Sequence, residues 1–272
     1  MLKKTIKYIQ ITLALVLIIA PFAVSAETVS LHDSFVSENW AGYTTHQDGS
    51  KYTAVGGSWI VPKSSTPVPS GEATWVGLGG FSTPDLIQVG TLNLIDSNGI
   101  SKYYAWYELL PAPPVTITME VRPGDSMTAS IVPLITGNDQ WIIYIKNNTT
   151  GAFFQDVVTY KSSLTSAEWI EEVPTSAIDK KYLALSYFSK VNFTNAWVVQ
   201  DGVRKTINEA RSNPMYLLDY NRNIALAVPS ALLNNGTAFS VTRTSAAGPQ
   251  TQTNRYSYSP PSSMNSFTLS SI

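Results

Sequence analysis

Apolar and polar residues alternate with period two along much of this chain. Val115, Ile117, Met119 and Val121 are separated by other, mostly polar residues; Pro123, Gly124 and Asp125 follow, and Met127, Ala129 and Ile131 resume the pattern. Successive side chains of a strand point to opposite faces, so the spacing predicts a β-hairpin turning at 123–125. A second hairpin is predicted from the runs 141–145 and 153–160, which flank the turn-forming residues Asn147, Asn148, Thr149, Thr150 and Gly151. Similar short runs with turn signals recur, without an internal repeat. The predicted fold class is therefore all-β, an antiparallel β-sandwich in a single domain. Only residues 203–211 invite a helix.

The two ends depart from this pattern. Lys3, Lys4 and Lys7 precede an apolar run from Ile11 to Ala20, and Ala23, Val24, Ser25 and Ala26 offer small residues for a signal peptidase. Ten residues fall short of the roughly 20 that a membrane-spanning helix needs, so residues 1–26 read as a secretory signal peptide. Residues 27–38 form a short N-terminal segment and 39–244 the sandwich domain. From Thr244 onward Ser, Pro, Gln, Asn and Thr dominate, and 245–272 reads as a poorly ordered tail. The expected product is secreted and extracellular, a monomer of bacterial type, with no stable membrane association after signal cleavage. Sequons at Asn147, Asn148, Asn192 and Asn235 then reflect turn preference.

Composition removes several kinds of chemistry. With 18 basic against 19 acidic residues the chain lacks the positive footprint of a nucleic-acid binder, so no nucleic-acid partner is expected. The absence of cysteine excludes thiol catalysis, disulfides and cysteine-held metals. Two histidines, His32 and His46, read as exposed loop residues; they cannot make a three-His zinc site, and no His-Glu-x-x-His is present. Neither a Gly-x-Ser-x-Gly elbow nor a phosphate loop occurs, and Asp33-Ser34 is followed by Phe35 where an aspartic peptidase needs glycine. No metal and no cofactor are expected. Carboxylate and amide chemistry remain.

The densest acidic segment is Ala167-Glu168-Trp169-Ile170-Glu171-Glu172-Val173-Pro174. On a strand, Glu168, Ile170 and Glu172 share one face, while Trp169, Glu171 and Val173 share the other. Read alone, the segment is either a cleft-facing strand or a solvated acidic edge. Upstream stand Ser37-Glu38-Asn39-Trp40-Ala41-Gly42-Tyr43, Ser58-Trp59-Ile60-Val61-Pro62, Thr74-Trp75-Val76-Gly77-Leu78-Gly79-Gly80, Leu86-Ile87-Gln88-Val89-Gly90 and Ala105-Trp106-Tyr107-Glu108. Taken in order with Ala-Glu-Trp-Ile-x-Glu, these segments resemble the eqolisin family of glutamic peptidases, from about Asn39 to Thr244.

The resemblance implies a sandwich of two large antiparallel sheets, of the concanavalin-like or jelly-roll kind, with a catalytic Gln and Glu on the concave face of one. The family's catalytic glutamine falls on Gln88 and its catalytic glutamate on Glu172. Tryptophans matching Trp40, Trp75 and Trp106 line or border the substrate cleft, and strand alternation puts Glu108 beside Trp106. The implied activity is endopeptidase cleavage of protein or peptide substrates. An ionised Glu172 would take a proton from the attacking water, and Gln88 would position that water and stabilise the oxyanion. A carboxylate base with an ordinary pKa near 4.3 implies an acidic optimum.

Departures from the family pattern bear on the cleft. Gly79 stands where an aspartate is usual, the second acidic position after the glutamine falls on Leu92 or Asn93, and Leu109-Leu110 replace aromatic residues. Two other readings compete: a catalytically degenerate or carbohydrate-binding sandwich with tryptophan platforms, and a glycoside hydrolase using Glu168 and Glu172. The second pair would lie roughly 13 Å apart on a strand, beyond the spacing glycosidases use.

Overall fold

The alternation read from the sequence sorts each strand's side chains between a sandwich core and an outer cleft. The structure, a computed structural model, describes residues 34–65, 69–135, 137–176, 181–188 and 190–247. The signal peptide assignment, His32 and the tail from 248 onward lie outside the described residues.

One layer runs in the order β7 (Val115–Ile117), β6 (Ser101–Leu109), β5 (Leu86–Ile95), β4 (Ser70–Gly79), β11 (Ala167–Glu172), β2 (Trp40–Thr45) and β15 (Asn213–Asp219), each antiparallel to the next. The other runs β10 (Phe153–Thr159), β9 (Gln140–Asn147), β8 (Ser126–Pro133), β3 (Tyr52–Ile60), β13 (Lys190–Gln200) and β17 (Phe239–Arg243), also antiparallel. β16 (Ile224–Pro229) pairs with both β15 and β17 and so joins the layers at one side. The short strands β1 (Phe35–Ser37) and β12 (Ala184–Leu185) pair parallel with β15 and β4, and β14 (Val203–Thr206) extends the edge beside β13. The expected all-β antiparallel sandwich is the fold observed.

Between the layers lies a core that includes Val76, Ile87, Val89, Trp169, Trp59, Ile131, Ile143, Phe193 and Val198. Two indoles bridge it. Trp169 Nε1 donates to the Gly56 carbonyl across the sandwich (3.0 Å), and Trp59 Nε1 donates to Thr91 Oγ1 (2.9 Å), so neither buried N–H is left unpaired. Trp169 also dictates its neighbour. Gly42 sits opposite Ile170 at φ +149°, and a Cβ there would lie 2.1 Å from the Trp169 carbonyl oxygen, so only glycine lets β2 run this close to β11.

Four local expectations need correction. The first expected hairpin does not form: β7 pairs with β6, whereas β8 pairs with β3 and β9, because the apolar faces of 115–117 and 127–131 are covered by different neighbours. The expected helix at 203–211 is instead β14 followed by a turn, in which the Arg204 guanidinium stacks 4.0 Å from the Trp197 ring centre. The tail begins later than expected, since residues 245–247 form a 3₁₀ turn with Ala247 fully buried. His46 is half-buried rather than exposed; its Nδ1 lies 2.9 Å from the Thr165 carbonyl and its ring packs on Phe81. The second hairpin, β9 to β10, is as expected, with Phe153 level with Lys146 and Thr159 level with Gln140.

Candidate active site

Glycine and alanine on alternate positions of β4 leave room on its outer face, over which Trp40, Trp75, Phe81, Leu86, Trp106 and Ile170 form a second apolar cluster. Along the outward face of this central strand lie Gly71, Ala73, Trp75, Gly77 and Gly79, so Trp75 is the one bulky side chain on its floor. Strand register fixes what flanks it. Glu108, Gln88, Gly77, Glu168 and Thr44 stand level across five strands; Trp106, Gly90, Trp75, Ile170 and Gly42 form the next row; Tyr104, Leu92, Ala73, Glu172 and Trp40 form the third. All six residues singled out in the sequence, Gln88, Glu172, Trp40, Trp75, Trp106 and Glu108, therefore share this one face. Gln88 is level with Glu168, and Glu172 lies four residues further along β11, so the two are related diagonally across β4.

Trp75 spans that diagonal. The edge of its ring lies over Gly77, where a Cβ would come 2.8 Å from Cζ3, and its Nε1 donates to Glu172 Oε2 at 2.7 Å. The other carboxyl oxygen, Oε1, accepts from Asn39 Nδ2 at 3.0 Å, and the Trp40 ring meets Trp75 edge-on at 5.1 Å. Asn39 was not singled out as a site residue. Its place immediately before Trp40 could have suggested it, since Glu172 pairs with Trp40 and brings the preceding side chain within reach.

At the other corner, Gln88 Nε2 donates to Glu108 Oε2 at 2.7 Å. Among the described residues, Gln88 Oε1 and the indole N–H of Trp106 are buried with no hydrogen-bond partner, while the Trp40 indole N–H lies toward Glu172. Unpaired buried polar groups are costly, and an acceptor and a donor left over on one sheet face are groups that a bound polar chain can satisfy. The tryptophans do not form open stacking platforms. Trp40, Trp75 and Trp106 are 2%, 0% and 6% exposed and pack with Ala73, Phe81, Leu86, Ile170 and Met215.

Electrostatics set the protonation of the carboxyl. Burial pushes Glu172 up to about 8; the Glu108 charge adds to the rise, while the hydrogen bonds from Trp75 and Asn39 oppose it. Burial likewise raises Glu108, against the Gln88 hydrogen bond. Burial thus favours the protonated form of Glu172 over the ordinary carboxylate range. The neighbouring acids have separate places. Glu168 is fully buried and raised well above the ordinary range by burial, with the neighbouring Ser166 and Thr44 hydroxyls opposing the rise. Glu171 faces the sandwich core with Glu72 and accepts from Thr74 Oγ1 at 2.6 Å. The segment is thus not a solvated edge.

Replacing Trp75 by phenylalanine would remove the donor on Oε2 and keep most of the ring. We expect kcat/KM to fall by about an order of magnitude and the Glu172 pKa to move further up, read from the pH–rate profile.

The match to known proteins agrees with this geometry. The model of the Peptidase A4 family matches residues 38–243. The chain belongs to the Peptidase A4 family. Aspergillopepsin-2 of Aspergillus niger is 27% identical over 191 residues, covering 61% of this chain and 66% of that protein. Among solved structures, scytalido-glutamic peptidase with a transition state analog inhibitor superposes with a TM-score of 0.64 at 23% identity, covering 76% of this chain and 99% of that one. The aspergilloglutamic peptidase of Aspergillus niger gives 0.55 at 24% identity, covering 64% and 99%. These structures share the Peptidase A4 fold seen in this chain. Among the described residues, no helix is long and apolar enough to cross a membrane.

Proposed function

We propose that this chain is an exported glutamic endopeptidase, in which Glu172 moves the protons and Gln88 holds the attacking water. The reading rests on one observation: a half-buried Glu172 carboxyl, held on both oxygens by Asn39 and Trp75, shares a sheet face with a Gln88 whose Oε1 has no partner among the described residues. Family membership supports the activity.

The raised pKa sets the order of proton transfers. Glu172 enters protonated and gives its proton to the carbonyl oxygen of the scissile peptide as water, positioned by Gln88 Oε1, attacks the carbon. The resulting carboxylate, stabilised by the Trp75 and Asn39 donors, takes a proton from the added water. Glu172, protonated again, then protonates the amide nitrogen; the C–N bond breaks, a hydroxyl of the collapsing diol returns its proton to Glu172, and the carboxylic acid and amine leave with Glu172 protonated as at the start. Glu108 holds Gln88 Nε2, so the amide oxygen stays turned toward the water.

Purified chain lacking residues 1–26 should digest acid-denatured haemoglobin and casein. Activity should be present through the acidic range and decline as pH rises through about 8, where Glu172 loses the proton it must donate. Absence of cleavage from pH 2 to 9, with the chain folded, would rule the reading out.

A further inference from the structure

Ser37 ends β1, level with Leu217 of β15 and two residues before the side-chain amide that holds Glu172. It is buried, and its hydroxyl is fully used. The oxygen accepts from the backbone N–H of Asn39 at 3.3 Å and from that of Trp40 at 3.2 Å. Backbone N–H groups can only donate, so the two of them take both lone pairs and leave the hydroxyl proton to point elsewhere. It points to Asn39 Oδ1, at 3.0 Å.

That bond decides which way Asn39 faces. The amide oxygen must lie toward Ser37, so the NH2 lies toward Glu172 and donates to Oε1. The backbone is held as well, since the Asn39 carbonyl accepts from the Val173 N–H at 2.8 Å. Around the Glu172 carboxyl stand Asn39 Nδ2, the Trp75 indole N–H and, turned toward it, the Trp40 indole N–H. All three are donors. With the Asn39 amide turned over, its oxygen would instead accept the acid proton that the reaction hands to the substrate.

We propose that Ser37 is a positioning residue for the reaction: it locks the Asn39 amide so that Glu172 meets donors alone and keeps its proton free for the substrate. The inference rests on the peptidase reading above. Without the hydroxyl the amide can turn over, and an acceptor at Oε1 favours the neutral acid. Of the titratable groups around Glu172, Glu108 faces it from β6, whereas Glu171 on β11 and Glu72 on β4 lie on the core side. Ser37 carries no charge, so its replacement leaves these three as they are.

The test is kcat and KM for one peptide substrate from about pH 3 to 10. Ser37→Ala should lower kcat by about 5-fold to 10-fold with KM within about 2-fold of native, and should move the alkaline limb up by about half a pH unit. Ser37→Thr, which keeps the hydroxyl, should restore both. In an Asn39→Ala background Ser37→Ala should add nothing, because the bond it sets is already gone. Ser37→Cys, a weak donor of similar size, carries the test if the alanine variant does not fold, as judged by thermal unfolding. A folded Ser37→Ala or Ser37→Cys enzyme with the native kcat and profile would overturn the role of Ser37. So would an equal loss in the Asn39→Ala background, or a folded Ser37→Thr enzyme as slow as Ser37→Ala; in each case the peptidase reading stands. A folded native chain that cleaves no peptide or denatured protein would overturn both.

Discussion

Glu172→Gln should lower kcat on a denatured protein substrate by about 10³-fold while leaving the fold intact. The amide keeps the size of the side chain and an acceptor for one of the two donors, Trp75 or Asn39, but it cannot release or take up a proton. Gln88→Ala should cost about 10²-fold, since the group that positions the attacking water is lost. The two losses should not add fully, because both groups act on the same water. Turnover and thermal midpoint measured side by side separate a chemical defect from a folding defect. A Glu172→Gln enzyme within a few-fold of the native rate, at every pH, would remove Glu172 from the chemistry.

Stability should be greatest in acid and fall as pH rises toward neutrality. Burial raises Glu72 to about 7 and Glu172 to about 8, and also raises Glu168 and Glu171 well above the ordinary carboxylate range. Among the described residues none of the four makes an ion pair; Glu72 is held by Ser64 at 2.6 Å and Asn93 at 3.2 Å, and Glu171 lies near Glu72 and Glu172. A carboxyl whose folded pKa exceeds its unfolded value keeps its proton in the fold after the unfolded chain has released it. Its stability contribution is fully present below about pH 4.5 and is lost as pH rises through the folded pKa. Glu72 alone, over roughly 2.5 pH units, accounts for about 3 kcal/mol of lost stability between pH 4.5 and 7. The other three act in the same direction, against a total that for a domain is of order 5–15 kcal/mol. Urea or thermal unfolding from pH 3 to 9 should show the decline, and Glu72→Gln should flatten it. A midpoint that rises from pH 4 to 8 would contradict the assignment. Activity and stability then share an alkaline limit, one through the cleft carboxyl and the other mainly through the acids packed beneath it.

Much of this molecule was legible in the chain itself. Period-two alternation gave the class of fold and the β9–β10 hairpin, because the direction of successive side chains is a local property of an extended backbone. Once the Ala-Glu-Trp-Ile-x-Glu segment is a strand, alternation alone places Glu172 opposite in face to Glu171 and Trp169, and the structure agrees. Other features depended on which distant strand comes to lie alongside. The pairing of β7 with β6 rather than β8, the place of Asn93 against Glu72 while Leu92 faces the cleft, and the bond from Asn39 to Glu172 all join residues far apart in sequence or choose between adjacent ones. The protonation of Glu172 was least accessible. A carboxyl carries its ordinary pKa in any extended peptide, and only the packing of Trp75, Trp40 and the neighbouring strands withdraws it from water and sets Glu108 nearby. The residue types and their faces were thus determined locally, whereas their charge state and mutual positions were decided by tertiary structure, since desolvation and strand pairing are properties of the assembled fold.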